Sequence, residues 1–300
     1  MLSYYDTKTP LFTSLIHKKT QTMKLRSNFW VCILLMFATA THAQQAPNQV
    51  QLKQLMYDFN LKPDGKQRLA ANYEFIKLLV QTLKEPKSFE FKFDSLTAVS
   101  VQKPEDSRFK IFSWQVPLDG GVFKHFGAIQ MNNKALTIFP LNDVSDTIAP
   151  ADMNVLENGR WFGCVYYQIV TKKYQNNTYY NLVGWDEHEP FSTKRLVDVL
   201  SFVDEKPVFG APIFKTVTDG IKDRLIFEYA EDATLTLRYD PKQKVIAVDN
   251  LVPQRPENVG LYFDYVPDLS VNAYRFTNGF WVMQENFTPK AIRKKRFYFF

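Results

Sequence analysis

Asp186-Glu187-His188-Glu189 is the densest run of candidate ligands in the chain, with three carboxylates and one imidazole in four positions. Carboxylate oxygens and an imidazole could hold a divalent cation or pass a proton as acid and base. On that chemistry Asp186, Glu187 and His188 are the catalytic candidates, and an envelope hydrolase is the alternative function. Consecutive extended residues point in opposite directions, however, so four in a row do not converge on one centre. The run also lacks the alternating Asx spacing of a calcium loop. It reads first as a solvated turn before Phe191, and no metal or cofactor is expected. Trp185 stands just before it at a strand end, and Trp114 is placed similarly. Both fit core or rim packing, and both are the binding candidates if an aromatic platform for a sugar or peptide is present.

Three further constellations yield to plainer readings. Asp119-Gly120-Gly121 with His125 beyond it lacks the Lys-Ser/Thr of a phosphate loop, so the glycines read as a tight hairpin turn. Cys164 lies in Trp161-Phe162-Gly163-Cys164-Val165-Tyr166, a run with the look of a buried strand, where a thiol behaves as a small hydrophobe. No Gly-x-Ser-x-Gly elbow occurs anywhere in the chain. Phe209 to Phe214, apolar and broken by Gly210 and Pro212, reads as a buried connection.

The elements that would position these groups fall into two zones. Residues 50–61 and 66–84 are expected helices, the second from the helical spacing of Leu69, Tyr73, Ile76, Leu79, Val80 and Leu83. Pro63-Asp64-Gly65 separates them, and Pro86 follows the second. From residue 88 short runs of Val, Ile, Tyr, Phe and Trp alternate with Gly, Asn, Asp and Pro. Strands are expected at 97–102, 109–117, 122–131, 135–139, 161–173, 178–185, 196–204, 207–209, 224–230, 234–240, 244–251, 272–277 and 280–286. Asn278-Gly279 is the strongest hairpin signal. Ser192 or Thr193 after Pro190 is the expected cap of a short helix over 192–197. No repeat of fixed length is present.

Met23-Lys24-Leu25-Arg26, the apolar run Phe29 to Ala40 and Thr41-His42-Ala43 have the order of a secretory signal peptide, with cleavage expected after Ala43. The run is too short to span a ~30 Å hydrocarbon core, which takes about 20 apolar residues. Cys32 precedes most of that run, so a lipid anchor is not expected. Residues 1–22 then read as an upstream extension, 23–43 as the leader, 44–288 as one globular domain and 289–300 as a basic–aromatic tail. Within the domain, 44–86 is expected to be helical and 88–288 mainly β. Taking Lys8, Lys18, Lys19, Lys24, Arg26 and Asp6 from the 37 bases and 31 acids leaves a net charge of +2. That near-neutral balance gives no footprint for nucleic acid. Of the 2 cysteines only Cys164 follows the leader, so stability must come from the core rather than a disulfide.

Tyr179-Tyr180-Asn181-Leu182-Val183-Gly184-Trp185-Asp186, Arg195-Leu196-Val197-Asp198-Val199-Leu200 and Pro207-Val208-Phe209-Gly210-Ala211-Pro212-Ile213-Phe214 carry a resemblance. Phe227-Glu228-Tyr229, Leu237-Arg238-Tyr239-Asp240 and Asp268-Leu269-Ser270 extend it over residues 89–285. Together they resemble a family of exported, Bacteroidetes-type hypothetical proteins with no activity, ligand or catalytic residue attached. The resemblance implies export, a bacterial source and one contiguous domain, and it transfers no site. The expected fold is α+β, mostly antiparallel sheet arranged as a sandwich, open barrel or incomplete propeller, with N-terminal helices. The expected function is a non-catalytic binding or structural domain of the cell envelope, periplasmic or at the cell surface. Its expected partner is an envelope protein or glycan, with no nucleic acid and no transmembrane span in the mature chain.

Overall fold

A computed structural model describes residues 48–288. The expected upstream extension, leader and tail lie outside the described residues, as does the side chain of His188. Two helices come first, α1 (Gln49–Leu61) and α2 (Gly65–Leu83). Asp64 caps α2, its carboxylate accepting from the backbone N–H of Gln67 at 2.8 Å. The buried stripe of α2 is Asn72, Phe75, Leu79, Thr82 and Leu83, while Tyr73 is 49% exposed. Of the expected stripe, Leu79 and Leu83 are buried and Leu69 and Ile76 pack against the same core, while Tyr73 faces solvent. Asn72 is also buried on this face, its Oδ1 accepting from Trp114 Nε1 at 2.7 Å beside Phe75, which packs on Phe59 and Trp114.

Sheet I runs β1 (Ser100–Gln102), β2 (Phe109–Pro117), β3 (Phe123–Met131), β4 (Ile138–Asp143) and β5 (Arg160–Trp161) in that spatial order. Sheet II holds β6 (Val165–Tyr174), β7 (Asn177–Glu189), β8 (Ser192–Val203) and, against β8, both β9 (Lys206–Phe209) and β12 (Leu225–Ala230). Sheet III adds β10 (Phe214–Lys215), β11 (Ile221–Lys222), β13 (Leu237–Asp240), β14 (Val245–Pro253), β15 (Tyr265–Thr277) and β16 (Phe280–Gln284). The pairings are antiparallel except β4 with β5 and β10 with β16. All three sheets are open. The class is α+β with β-rich sheets and N-terminal helices.

The layers follow from the two-residue period of a strand. On β2, Phe112, Trp114 and Val116 pack under the helices with Leu52, Phe59 and Phe75. The alternate residues Phe109 and Ile111 pack on Tyr180, Leu182, Leu196 and Leu200 of sheet II. The opposite face of sheet II presents Val183, Val197 and Val199 to Ile246, Val248 and Trp281 of sheet III. Helices, sheet I, sheet II and sheet III thus stack in sequence, and sheet II is covered on both faces.

Two expected elements differ. Residues 161–173 are not one strand: the chain leaves sheet I after Trp161 and enters sheet II at Val165, crossing through Phe162-Gly163-Cys164. The short helix over 192–197 is instead the start of β8. Ser192 Oγ caps nothing there and donates across to Glu228 Oε1 at 2.7 Å. The expected Asn278-Gly279 hairpin is present, both residues having positive φ (50° and 84°).

Candidate functional site

One cluster of side chains able to do acid–base chemistry lies in the layer between sheets I and II. His125 is on the β3 face that carries Ile129 and Met131, so its imidazole enters that layer. Asp143, the last residue of β4, places Oδ2 3.4 Å from His125 Nδ1. Asp186 on β7 places Oδ1 3.4 Å from His125 Nε2. The three side chains are 4%, 15% and 3% exposed, respectively. The ring bridges the two sheets with one carboxylate on each nitrogen.

Asp143 is held firmly. It accepts from Ser145 N and Oγ at 3.0 and 2.6 Å and from Gly163 N at 3.0 Å. A Cβ at position 163 would lie 2.2 Å from the Asp143 carboxylate, so only glycine makes the crossing there. Burial alone pushes the Asp143 carboxyl up, but the His125 contact and the Ser145 bonds outweigh it and hold it below its ordinary value. The other side of the ring is looser. His125 Nε2 has no hydrogen-bond partner among the described residues, because Asp186 is close but poorly aligned. Among the described residues no serine, threonine or cysteine is hydrogen-bonded to the imidazole as a nucleophile would be.

Around this bridge the remaining groups are engaged by the protein. Glu187 Oε2 accepts from Gln115 Nε2 at 2.5 Å, and Gln115 is the strand partner of His125. Cys164 is fully buried, and burial pushes its thiol well above the usual value, which leaves it protonated and inert. Deeper in the layer Asp198 and Arg224, both 0% exposed, pair at 3.2 Å. Arg224 Nη1 also donates to the backbone oxygens of Ala151 and Asn154. Burial raises the Asp198 carboxyl against the pull of Arg224.

Of the expected site residues the fold brings Asp186 and Glu187 to the neighbourhood of His125 and leaves Trp114 and Trp185 elsewhere. Asp186 belongs to a strand and is buried, which corrects the solvated turn expected over 186–189. β7 continues to Glu189 because Asp186 pairs with Lys194 and Glu189 with Ser192 on β8. Glu187 is bonded to Gln115, the strand neighbour of His125, rather than to the ring, and the side chain of His188 lies outside the described residues. Trp114 is 2% exposed with its indole N–H spent on Asn72, so it is core and offers no platform. Trp185 is half-buried beside the Arg195 guanidinium, 6.0 Å from the ring centre. Sequence reasoning passed over Asp143, Ser145 and the Asp198–Arg224 pair. The Asp-x-Ser spacing of 143–145 is an available turn signal, but pairing with His125 depends on the fold. Among the described residues no three His, Cys, Asp or Glu side chains gather as a metal centre.

One groove of about 520 Å³ runs along the start of α2, lined by Gly65, Leu69, Ala70, Tyr73 and Leu118. Compared with protein-family models, curated proteins and solved structures, the chain matches none.

Proposed function

We propose that this chain is an exported cell-envelope protein whose folded domain binds an envelope component, a protein or a glycan, without turning it over. One observation carries the non-catalytic part. The acid–base group that the fold assembles, Asp143–His125–Asp186, is sealed between two sheets with a carboxylate against each ring nitrogen. A general base needs its nitrogen within reach of a substrate proton, and a substrate needs a concave site beside it. Export rests on the leader pattern over residues 23–43 and on the family resemblance. Among the described residues no helix is long and apolar enough to cross a membrane.

Expression of the chain from Met23 in a Gram-negative host tests this reading. The expected product is a periplasmic or extracellular chain beginning at Gln44, retained on envelope fractions and inactive on ester, peptide and glycoside substrates. An uncleaved cytoplasmic product would overturn export, and turnover would overturn the binding role.

A hydrolase reading has one observation in its favour. Asp143 orients His125 Nδ1 as a carboxylate orients a catalytic imidazole, and Nε2 is left without a hydrogen bond. On this reading wild-type turnover would vanish in His125→Gln while the fold persisted.

A further inference from the structure

The loop between β14 and β15 reverses the usual placing of polar and apolar residues. It covers residues 254–264 and contains two short turns, Pro256–Asn258 and Tyr262–Asp264. Val259, Leu261, Tyr262 and Phe263 are 72%, 46%, 48% and 53% exposed, whereas Asp264 is 7% exposed. Single exposed apolar side chains are ordinary, but a contiguous group marks a contact surface. Among the described residues no five-residue stretch outside this loop exposes more than two large hydrophobic side chains.

The polar groups of the loop decide which surface it fits. Asp264 is turned inward, its Oδ2 accepting from Arg255 N at 3.0 Å and its backbone oxygen from Gln254 N at 3.0 Å. Residues 258–263 carry no charge, and Arg255 and Glu257 balance each other at the base. The tip also bonds much of its own backbone. Asn258 N, Leu261 N and Asp264 N donate to the oxygens of Arg255, Asn258 and Leu261 at 2.9, 2.9 and 3.0 Å. Tyr265 N donates to Tyr262 O, and Gly260 N donates to the Tyr265 hydroxyl at 3.0 Å. A chain entering the apolar edge of a bilayer must satisfy its backbone internally, and a tyrosine ring suits the headgroup boundary. A protein partner is met instead through about one hydrogen bond per 100–200 Å² of contact, which a self-bonded, uncharged tip offers poorly.

We propose that residues 259–263 dip into the surface of a lipid bilayer and seat the domain on a membrane of the envelope without crossing it. The uncharged tip matches the boundary between headgroups and acyl chains. The balanced Arg255 and Glu257 leave no demand for anionic lipid. This contact goes beyond the protein or glycan partner proposed above and does not depend on it.

Flotation of residues 44–300 with phosphatidylcholine vesicles, free of protein and glycan, tests the proposal. The chain is expected to float with the vesicles, to the same extent with and without anionic lipid and between about 0.05 and 0.5 M salt. Val259→Ser with Phe263→Ser should weaken the partition at least about tenfold, because two large apolar side chains no longer enter the bilayer. Val203→Ser, at an exposed position at the end of β8, should leave it unchanged. Phe263→Trp gives a second readout: its emission should shift to the blue on vesicles and be quenched by brominated acyl chains. No flotation, flotation unchanged in the double variant, no quenching, or binding that requires anionic lipid would each overturn the lipid contact. Retention on an envelope fraction without flotation overturns the lipid contact and leaves the partner proposed above in place. Flotation without retention on a delipidated envelope fraction does the reverse.

Discussion

At the residue scale, the Asp143–His125–Asp186 bridge is a device for joining two sheets. Asp143 is the member whose titration reads this out. Its carboxyl is held below the ordinary value in the folded chain, so it stabilises the fold above its unfolded value, near 4, and that contribution is lost as pH falls through the folded value. Asp143→Asn should cost about 1–3 kcal/mol at pH 7 and flatten the acid limb, as read by urea unfolding from pH 7 down to 3. Gly163→Ala should cost a similar amount of about 1–3 kcal/mol, because the new methyl must displace the carboxylate. Lys110 gives the same sign of slope in an alkaline window, there as a penalty relieved rather than a contribution gained. Burial chiefly, helped by the Lys103 charge, lowers its ammonium to about 8, so the unfolded chain binds more protons above that pH. Stability should rise between about pH 8 and 10, and the rise should be absent in Lys110→Met.

At the element scale, most of the fold was legible before any coordinate. The capped second helix, the hairpins and the β-rich zone follow from local chemistry, since Asp64, Asn278 and Gly279 act within a few residues. The failures share a cause in longer range. Ser192 beside Pro190 resembles a helix cap, but residues 192–197 supply the register partners of β12 and lie within a sheet covered on both faces. Trp161 to Tyr166 reads as one strand because its apolar run is continuous, yet Gly163 is the point where the chain changes sheets. The site was less legible than the fold. His125, Asp143 and Asp186 are far apart in the chain, and only the stacking of β3, β4 and β7 brings them together. A test at this scale is Leu200→Ala in β8, which should cost about 2–5 kcal/mol by removing a fully buried side chain between the sheets. Amide exchange should be slowest in β7 and β8, the strands buried on both sides, and fast exchange there would contradict the layered order.

At the scale of the whole molecule, the stack holds the described residues together with a single, unpaired cysteine, Cys164, among them. Three apolar layers tie the helices to the last sheet in sequence, and the buried Asp198–Arg224 pair anchors sheet II to the turn carrying Ala151 and Asn154. Removing Arg224 would strand a buried carboxylate, so Arg224→Ala should cost about 3–5 kcal/mol by denaturant unfolding. The same closure that stabilises the molecule withdraws the His125 bridge from solvent, which supports the proposed binding role. Co-sedimentation of residues 44–300 with a Gram-negative envelope fraction tests the proposed binding role most directly. Saturable retention, equal for wild type and a folded His125→Gln variant, is the predicted result. A chain that stays in the supernatant at every concentration would contradict it.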